Sequence, residues 1–159
     1  EPLMHEGVVS FLQYAKTLNY KIKIHTNGMF YERLKTILAQ KLVDHVSLDI
    51  KNAPSAYAKT CGVEDMDLKD IEKSLDLLKQ SVVPYDICVT LVDELHNQET
   101  IEELGEWLQG VDTVILQPFE DSETTIDHSL HRPSFEVVLK YKNIFEKYVK
   151  HVKIRGDQA

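Results

Sequence analysis

Asp49 and Lys51 stand two residues apart at the end of the run His45–Ile50. In an extended strand this spacing turns both side chains to one face together with Ser47, while Val46, Leu48 and Ile50 take the other. A carboxylate and an ammonium side by side at a strand's carboxyl end could grip both charges of a zwitterion such as an amino acid. The same two groups could equally form a structural ion pair at the rim of a sheet. Three further runs end in polar residues: Tyr20–His25 in Thr26-Asn27-Gly28, Tyr85–Val92 in Asp93, Glu94 and His96, and Thr113–Phe119 in Gln117-Pro118-Phe119. Ligands of parallel α/β sheets bind at the carboxyl ends of the strands, so these four ends would converge on one pocket. Asn27-Gly28 also reads simply as a turn, glycine supplying a positive φ. His128 and His131 lie three apart in the acidic stretch Glu120–Arg132 and read as solvated imidazoles rather than metal ligands. Cys61 and Cys88 are too far apart for any CxxC or CxxxCxxC spacing and read as reduced thiols.

The elements that must position these groups follow from apolar periodicity. Helical stripes run through Val8, Phe11, Leu12, Ala15 and Leu18; through Phe30, Leu34, Ile37 and Leu38; and through Leu68, Ile71, Leu75 and Leu78 behind Asp67 as an N-cap. Two more contain Ile101, Leu104 and Leu108, between an Asn97 cap and Gly110, and Val138, Tyr141, Phe145 and Tyr148, with Pro133 placed to open the helix. A fifth, weaker strand is predicted at His151–Arg155. Strands alternating with helices predict right-handed βαβ units, an α/β fold that is either doubly wound or an incomplete parallel (β/α) barrel with outer helices; four or five strands cannot close a ring of eight.

The 159 residues fit one domain, 1–159, large enough to bury a core without disulfides or metals. A net charge of −8, with no basic run to offset it, argues against nucleic acid and anionic membrane surfaces as partners. No stretch approaches the roughly 18 consecutive apolar residues of a membrane span, so the expected location is the cytoplasm. The chain opens on Glu1-Pro2 without an initiator methionine, which suggests a fragment of a longer protein.

The motifs also resemble a known family by their order and spacing. Glu1-Pro2-Leu3 looks like the end of the Gly-Gly-Glu-Pro motif of radical S-adenosylmethionine (SAM) enzymes, and His25-Thr26-Asn27-Gly28 resembles their Asp/His-Thr-Asn-Gly strand end. Val46-Ser47-Leu48-Asp49-Ile50-Lys51, followed by Tyr57 and Gly62-Val63, is similar to the Asp-Ile-Lys segment of the activating enzymes of glycyl-radical enzymes, those of anaerobic ribonucleotide reductase above all, with pyruvate formate-lyase activating enzymes as cousins. Leu95-His96 and Leu116-Gln117-Pro118-Phe119 extend the likeness over most of the chain.

The resemblance implies a partial (β/α)6 barrel, a [4Fe–4S] cluster on a CxxxCxxC loop, and SAM held by its amino and carboxylate groups. Reduction would yield a 5′-deoxyadenosyl radical that takes a glycine hydrogen from a partner enzyme, with flavodoxin or ferredoxin as electron donor. It also implies that Glu1 belongs to the stretch receiving the SAM amino group. Lys51 would be the counter-charge of the SAM carboxylate, with Asp49 helping to order it, and Thr26 and Asn27 would line the same pocket. Neither Cys61 nor Cys88 can stand in for three closely spaced thiolates. The cluster loop would therefore lie in the missing part, the chain alone would be inactive, and no cofactor is expected on it.

His25 stands where many relatives have Asp, and Cys88 near where an Arg often reaches SAM. These departures keep a second reading open, a degenerate barrel that binds a partner protein without catalysis. A third is an aldolase-like barrel with Lys51 as Schiff-base amine, which would require a desolvated Lys51 although Asp49 beside it favours the charged form.

Overall fold

The computed structural model describes residues 1–123 and 125–156. In chain order these form α1 (Val8–Thr17), β1 (Lys23–Thr26), α2 (Tyr31–Ala39), β2 (His45–Asp49), α3 (Tyr57–Thr60), α4 (Lys69–Lys79), β3 (Tyr85–Leu91), α5 (Gln98–Trp107), β4 (Thr113–Pro118), α6 (Phe135–Phe145) and β5 (His151–Ile154). The strands follow the order β1-β2-β3-β4-β5. All the paired strands are parallel, as the alternation of strand and helix requires. The contacts gather in two compact units, Glu1–Asp49 with Asp67–Asp86, and Ile50–Met66 with Ile87–Ala159.

In the first unit β1 pairs β2 with Lys23 opposite His45 and Thr26 opposite Leu48. Ile24, Val46 and Leu48 are buried with Leu34 and Ile37 of α2 and Ile71, Leu75 and Leu78 of α4. Removing each such side chain from water contributes about 1.5–3 kcal/mol, which makes this layer the main stabilising term of the unit.

Three predicted boundaries move here. The strand expected at Tyr20–His25 forms only over Lys23–Thr26, because the Asp44 carboxylate takes the Ile22 amide at 2.8 Å while Lys16 (2.7 Å) and Lys21 (3.2 Å) hold that carboxylate in place. Phe11 and Leu18 of the α1 stripe are exposed, and only Val8 and Leu12 of that helix are buried. Asp67 lies two residues before α4 and accepts the Lys69 amide at 3.0 Å, so it serves the helix start one position earlier than expected.

In the second unit β3 pairs β4 and β4 pairs β5. Ile87, Val89, Leu91, Val114 and Leu116 are fully buried with Ile101 and Leu104 of α5 and Phe145 of α6. The Asn97 cap forms as read, its side chain accepting from Thr100 N at 3.0 Å while Thr100 Oγ1 takes the Asn97 amide at 3.1 Å. α6 begins differently. Ser134 caps it, its hydroxyl accepting the Val137 amide at 3.3 Å, so Pro133 stands before the cap rather than in the first turn. The one-turn helix α3 lies where no periodic pattern was legible.

Candidate functional site

At the carboxyl end of β1 the residues Glu1, Thr26 and Asn27 come together. The Glu1 carboxylate accepts the Thr26 hydroxyl at 3.0 and 3.2 Å, the Asn27 amide at 2.6 Å and the Leu3 amide at 2.8 Å. Thr26 is buried, and its hydroxyl in turn accepts the Gly28 amide at 3.2 Å. Glu1 therefore organises the end of the strand, with most of its acceptor capacity used within the protein. Arg33 reinforces the arrangement by donating to the Leu3 carbonyl.

Gly28 completes the turn with φ of +80°, and its carbonyl accepts the Ser74 hydroxyl at 2.8 Å. A Cβ at this position would meet Leu48 Cδ1 at 2.9 Å. Gly28→Ala therefore carries a left-handed backbone penalty together with a clash inside a packed core. It should cost about 1–3 kcal/mol of unfolding free energy. An unchanged midpoint of denaturant unfolding would contradict this account.

Asp49 and Lys51 are both half-buried, while Leu48 and Ile50 are fully buried. The expected alternation does not run through β2, because Ser47, read on the same face as Asp49 and Lys51, is fully buried between Val46 and Leu48; only the last residues alternate. In the second unit the Ile50 amide donates to the Cys88 carbonyl at 3.0 Å, after which the backbone leaves the strand pairing. Two side chains then hold it. His96 Nε2 lies 3.0 Å from the Lys51 carbonyl, and Asn52 Nδ2 donates to the Leu95 carbonyl at 2.7 Å and to Thr60 Oγ1 at 3.0 Å.

The loop between β4 and α6 is tied to the end of β3 by His131, whose amide and Nδ1 both engage Glu94, at 2.8 and 2.6 Å, and whose carbonyl accepts the Asp93 amide at 3.0 Å. His128 pairs with Asp121 at 2.9 Å. Each imidazole thus has a carboxylate as partner.

The hydrogen bond to Glu94, together with its charge, raises the His131 pKa above its ordinary 6.5. This contribution is complete below about pH 6.5 and disappears as pH rises through the raised folded value. An NMR titration of the His131 ring should show a midpoint above 6.5 that Glu94→Gln returns toward the ordinary value. An unshifted midpoint in the parent protein would remove the ionic tie.

Sequence reasoning missed a cluster at the amino ends of the strands. Asp86 is buried and accepts from His45 Nε2 at 2.7 Å, from Lys23 Nζ at 3.1 Å and from the Ser47 hydroxyl. A lone carboxylate within the apolar strand Tyr85–Leu91 was the available signal. Also unanticipated, Arg155 Nη1 donates to Gln117 Oε1 at 2.6 Å after β5.

The donor chemistry distinguishes the two cofactors that the resemblance implies. Cys61 is exposed and Cys88 buried, and among the described residues no group of three or more His, Cys, Asp or Glu is disposed to hold a metal. The described residues do not fit an iron–sulfur cluster. Asp49 and Lys51 carry a carboxylate and an ammonium, each half-buried. Among the described residues no helix is long and apolar enough to cross a membrane.

No protein-family profile matches the chain. A protein of Methanocaldococcus jannaschii that bears the name of a glycyl-radical enzyme activating enzyme is 27% identical over 158 residues, covering 96% of this chain, and the chain spans 66% of that relative's length. Among solved structures, a domain of a pyruvate-formate lyase-activating enzyme from Bacteroides vulgatus superposes with a TM-score of 0.74 at 18% identity, covering 98% of this chain and 94% of that one. A radical SAM methyltransferase from Sphaerobacter thermophilus gives 0.73 at 14% identity, covering 96% of this chain and 46% of that one. At such identities the structural likenesses establish the fold, an α/β arrangement of parallel strands with helices. The resemblance first seen in the motifs is thus matched by a relative in sequence and by neighbours in structure.

Proposed function

We propose that residues 1–159 form the SAM-holding part of the barrel domain of a radical SAM oxidoreductase, an activating enzyme that creates a glycyl radical on a partner such as an anaerobic ribonucleotide reductase or pyruvate formate-lyase. The observation that carries this reading is the half-buried Asp49 and Lys51 alternating with fully buried Leu48 and Ile50 at the end of β2, in a chain whose relative bears the activating-enzyme name. SAM, when bound, supplies the radical chemistry, and the protein's task is to orient it and exclude water.

Lys51 opposes the SAM carboxylate and Asp49 orders the same end. Thr26 and Asn27 contribute the lining at the end of β1. Glu1 holds those two residues in place, and the stretch it opens receives the amino group. The [4Fe–4S] cluster is assigned to parts of the longer protein outside this chain, since neither Cys61 nor Cys88 suits it. The electron donor would be a flavodoxin or ferredoxin, and the setting the cytoplasm.

The test uses the full-length protein, reconstituted anaerobically with iron and sulfide. Equilibrium binding should show one SAM per chain, and a chemical reductant should release 5′-deoxyadenosine. Failure to bind SAM, or a full-length gene product without a CxxxCxxC motif, would overturn the proposal.

A further inference from the structure

Beyond β2 the Lys51 carbonyl is met by a side chain. Ile50 still donates to Cys88, whereas one residue later the backbone turns away and His96 Nε2 takes over at 3.0 Å. A carbonyl only accepts, so Nε2 must carry the proton. The other ring nitrogen, Nδ1, lies 3.1 Å from both the Val92 amide and the Val92 carbonyl; in the neutral ring, with the proton on Nε2, it accepts from the Val92 amide. The neutral Nε2–H tautomer thus serves the Lys51 carbonyl and the Val92 amide together.

The ring sits 3% exposed, and the Tyr141 hydroxyl fixes its backbone from α6 by donating to the His96 carbonyl at 3.0 Å. Burial is the largest influence on its basicity and holds its pKa below the ordinary value, which favours the neutral form. Asn52 repeats the device one residue on, by donating to the Leu95 carbonyl at 2.7 Å. The turn after β3 thus grips two successive residues after β2.

We infer that His96 is the positioning residue of the proposed SAM site, a buried neutral imidazole that fixes the backbone of Lys51 and so the point from which the lysine side chain departs. The inference rests on the reading of Lys51 as the SAM counter-charge. His96 does not touch SAM. It acts through Lys51, in the way that a supporting shell determines how tightly a contacting group is held.

Two substitutions separate the ring's two bonds. His96→Gln can keep a donor near the Nε2 position, whereas His96→Asn can keep an acceptor near Nδ1 but cannot reach Lys51. In the reconstituted full-length protein His96→Asn should weaken SAM binding about tenfold and His96→Gln about twofold. In a Lys51→Ala background His96→Asn should cause little further loss, because both changes remove the same held ammonium. Equal losses in the two His96 variants, or full additivity with Lys51→Ala, would mean a merely structural histidine and would overturn the inference.

A second readout is independent of SAM. Long-range nitrogen–proton NMR on the same protein should show the Nε2–H tautomer, and the Lys51 carbonyl shift should move in His96→Asn more than in His96→Gln. A parent protein that binds no SAM but shows this tautomer and shift pattern would sink the SAM reading while leaving the clamp on Lys51 intact. An Nδ1–H tautomer would sink the clamp itself.

Discussion

Replacing Lys51 by alanine in the reconstituted full-length protein is expected to weaken SAM binding by about tenfold or more. A hydrogen bond to a charged group contributes about 1.5–3 kcal/mol, and a tenfold change in affinity corresponds to about 1.4 kcal/mol. Lys51 is half-buried, so water screens part of that interaction and the lower end of the range applies. Lys51→Arg should recover part of the affinity, since it restores the charge without the geometry of a single ammonium. Asp49→Asn should cost less than Lys51→Ala, because the proposed part of Asp49 is to order rather than to neutralise. Titration of SAM into the three variants decides the matter. Parent-like affinity in Lys51→Ala would remove the residue from the site.

The second large effect concerns stability. Asp86 is 5% exposed and receives hydrogen bonds from His45, Lys23 and the fully buried Ser47. Asp86→Ala leaves the Ser47 hydroxyl without this acceptor, whereas the side chains of Lys23 and His45 remain 39% and 32% exposed and can turn to water. Removing one partner of a buried charged pair typically costs about 3–5 kcal/mol. With two of the three donors able to reach solvent, a loss of about 2–4 kcal/mol is expected. Urea unfolding of the full-length protein measures it, and a change below about 1 kcal/mol would contradict the assignment.

The pH dependence has a defined sign. Burial is the strongest single influence on Asp86 and pushes its pKa up, but the hydrogen bonds from Ser47, His45 and Lys23 together outweigh it, so the folded pKa lies below the usual carboxylate value. The stabilisation is therefore complete above about pH 4, the unfolded value, and is lost as pH falls through the lower folded value. Asp86→Asn should remove this acid-side loss.

Local patterns were enough to define the βα alternation, the Asn97 cap and the turn at Gly28, because each depends on neighbours a few residues away in the chain. Period two put Ser47, Asp49 and Lys51 on one face of the strand, but it did not foresee that Ser47 would be fully buried while Asp49 and Lys51 are half-buried. What the pattern could not decide were the places where a distant group captures a backbone amide or carbonyl. Asp44 takes the Ile22 amide and shortens β1. Glu1 gathers Thr26 and Asn27 across 25 positions. His96 reaches the Lys51 carbonyl across 45. Asp86 gathers His45, Ser47 and Lys23, none of them near it in sequence. Hydrogen-bond capture depends on distances of about 3 Å between groups whose proximity only the folded chain creates, and no periodicity encodes it.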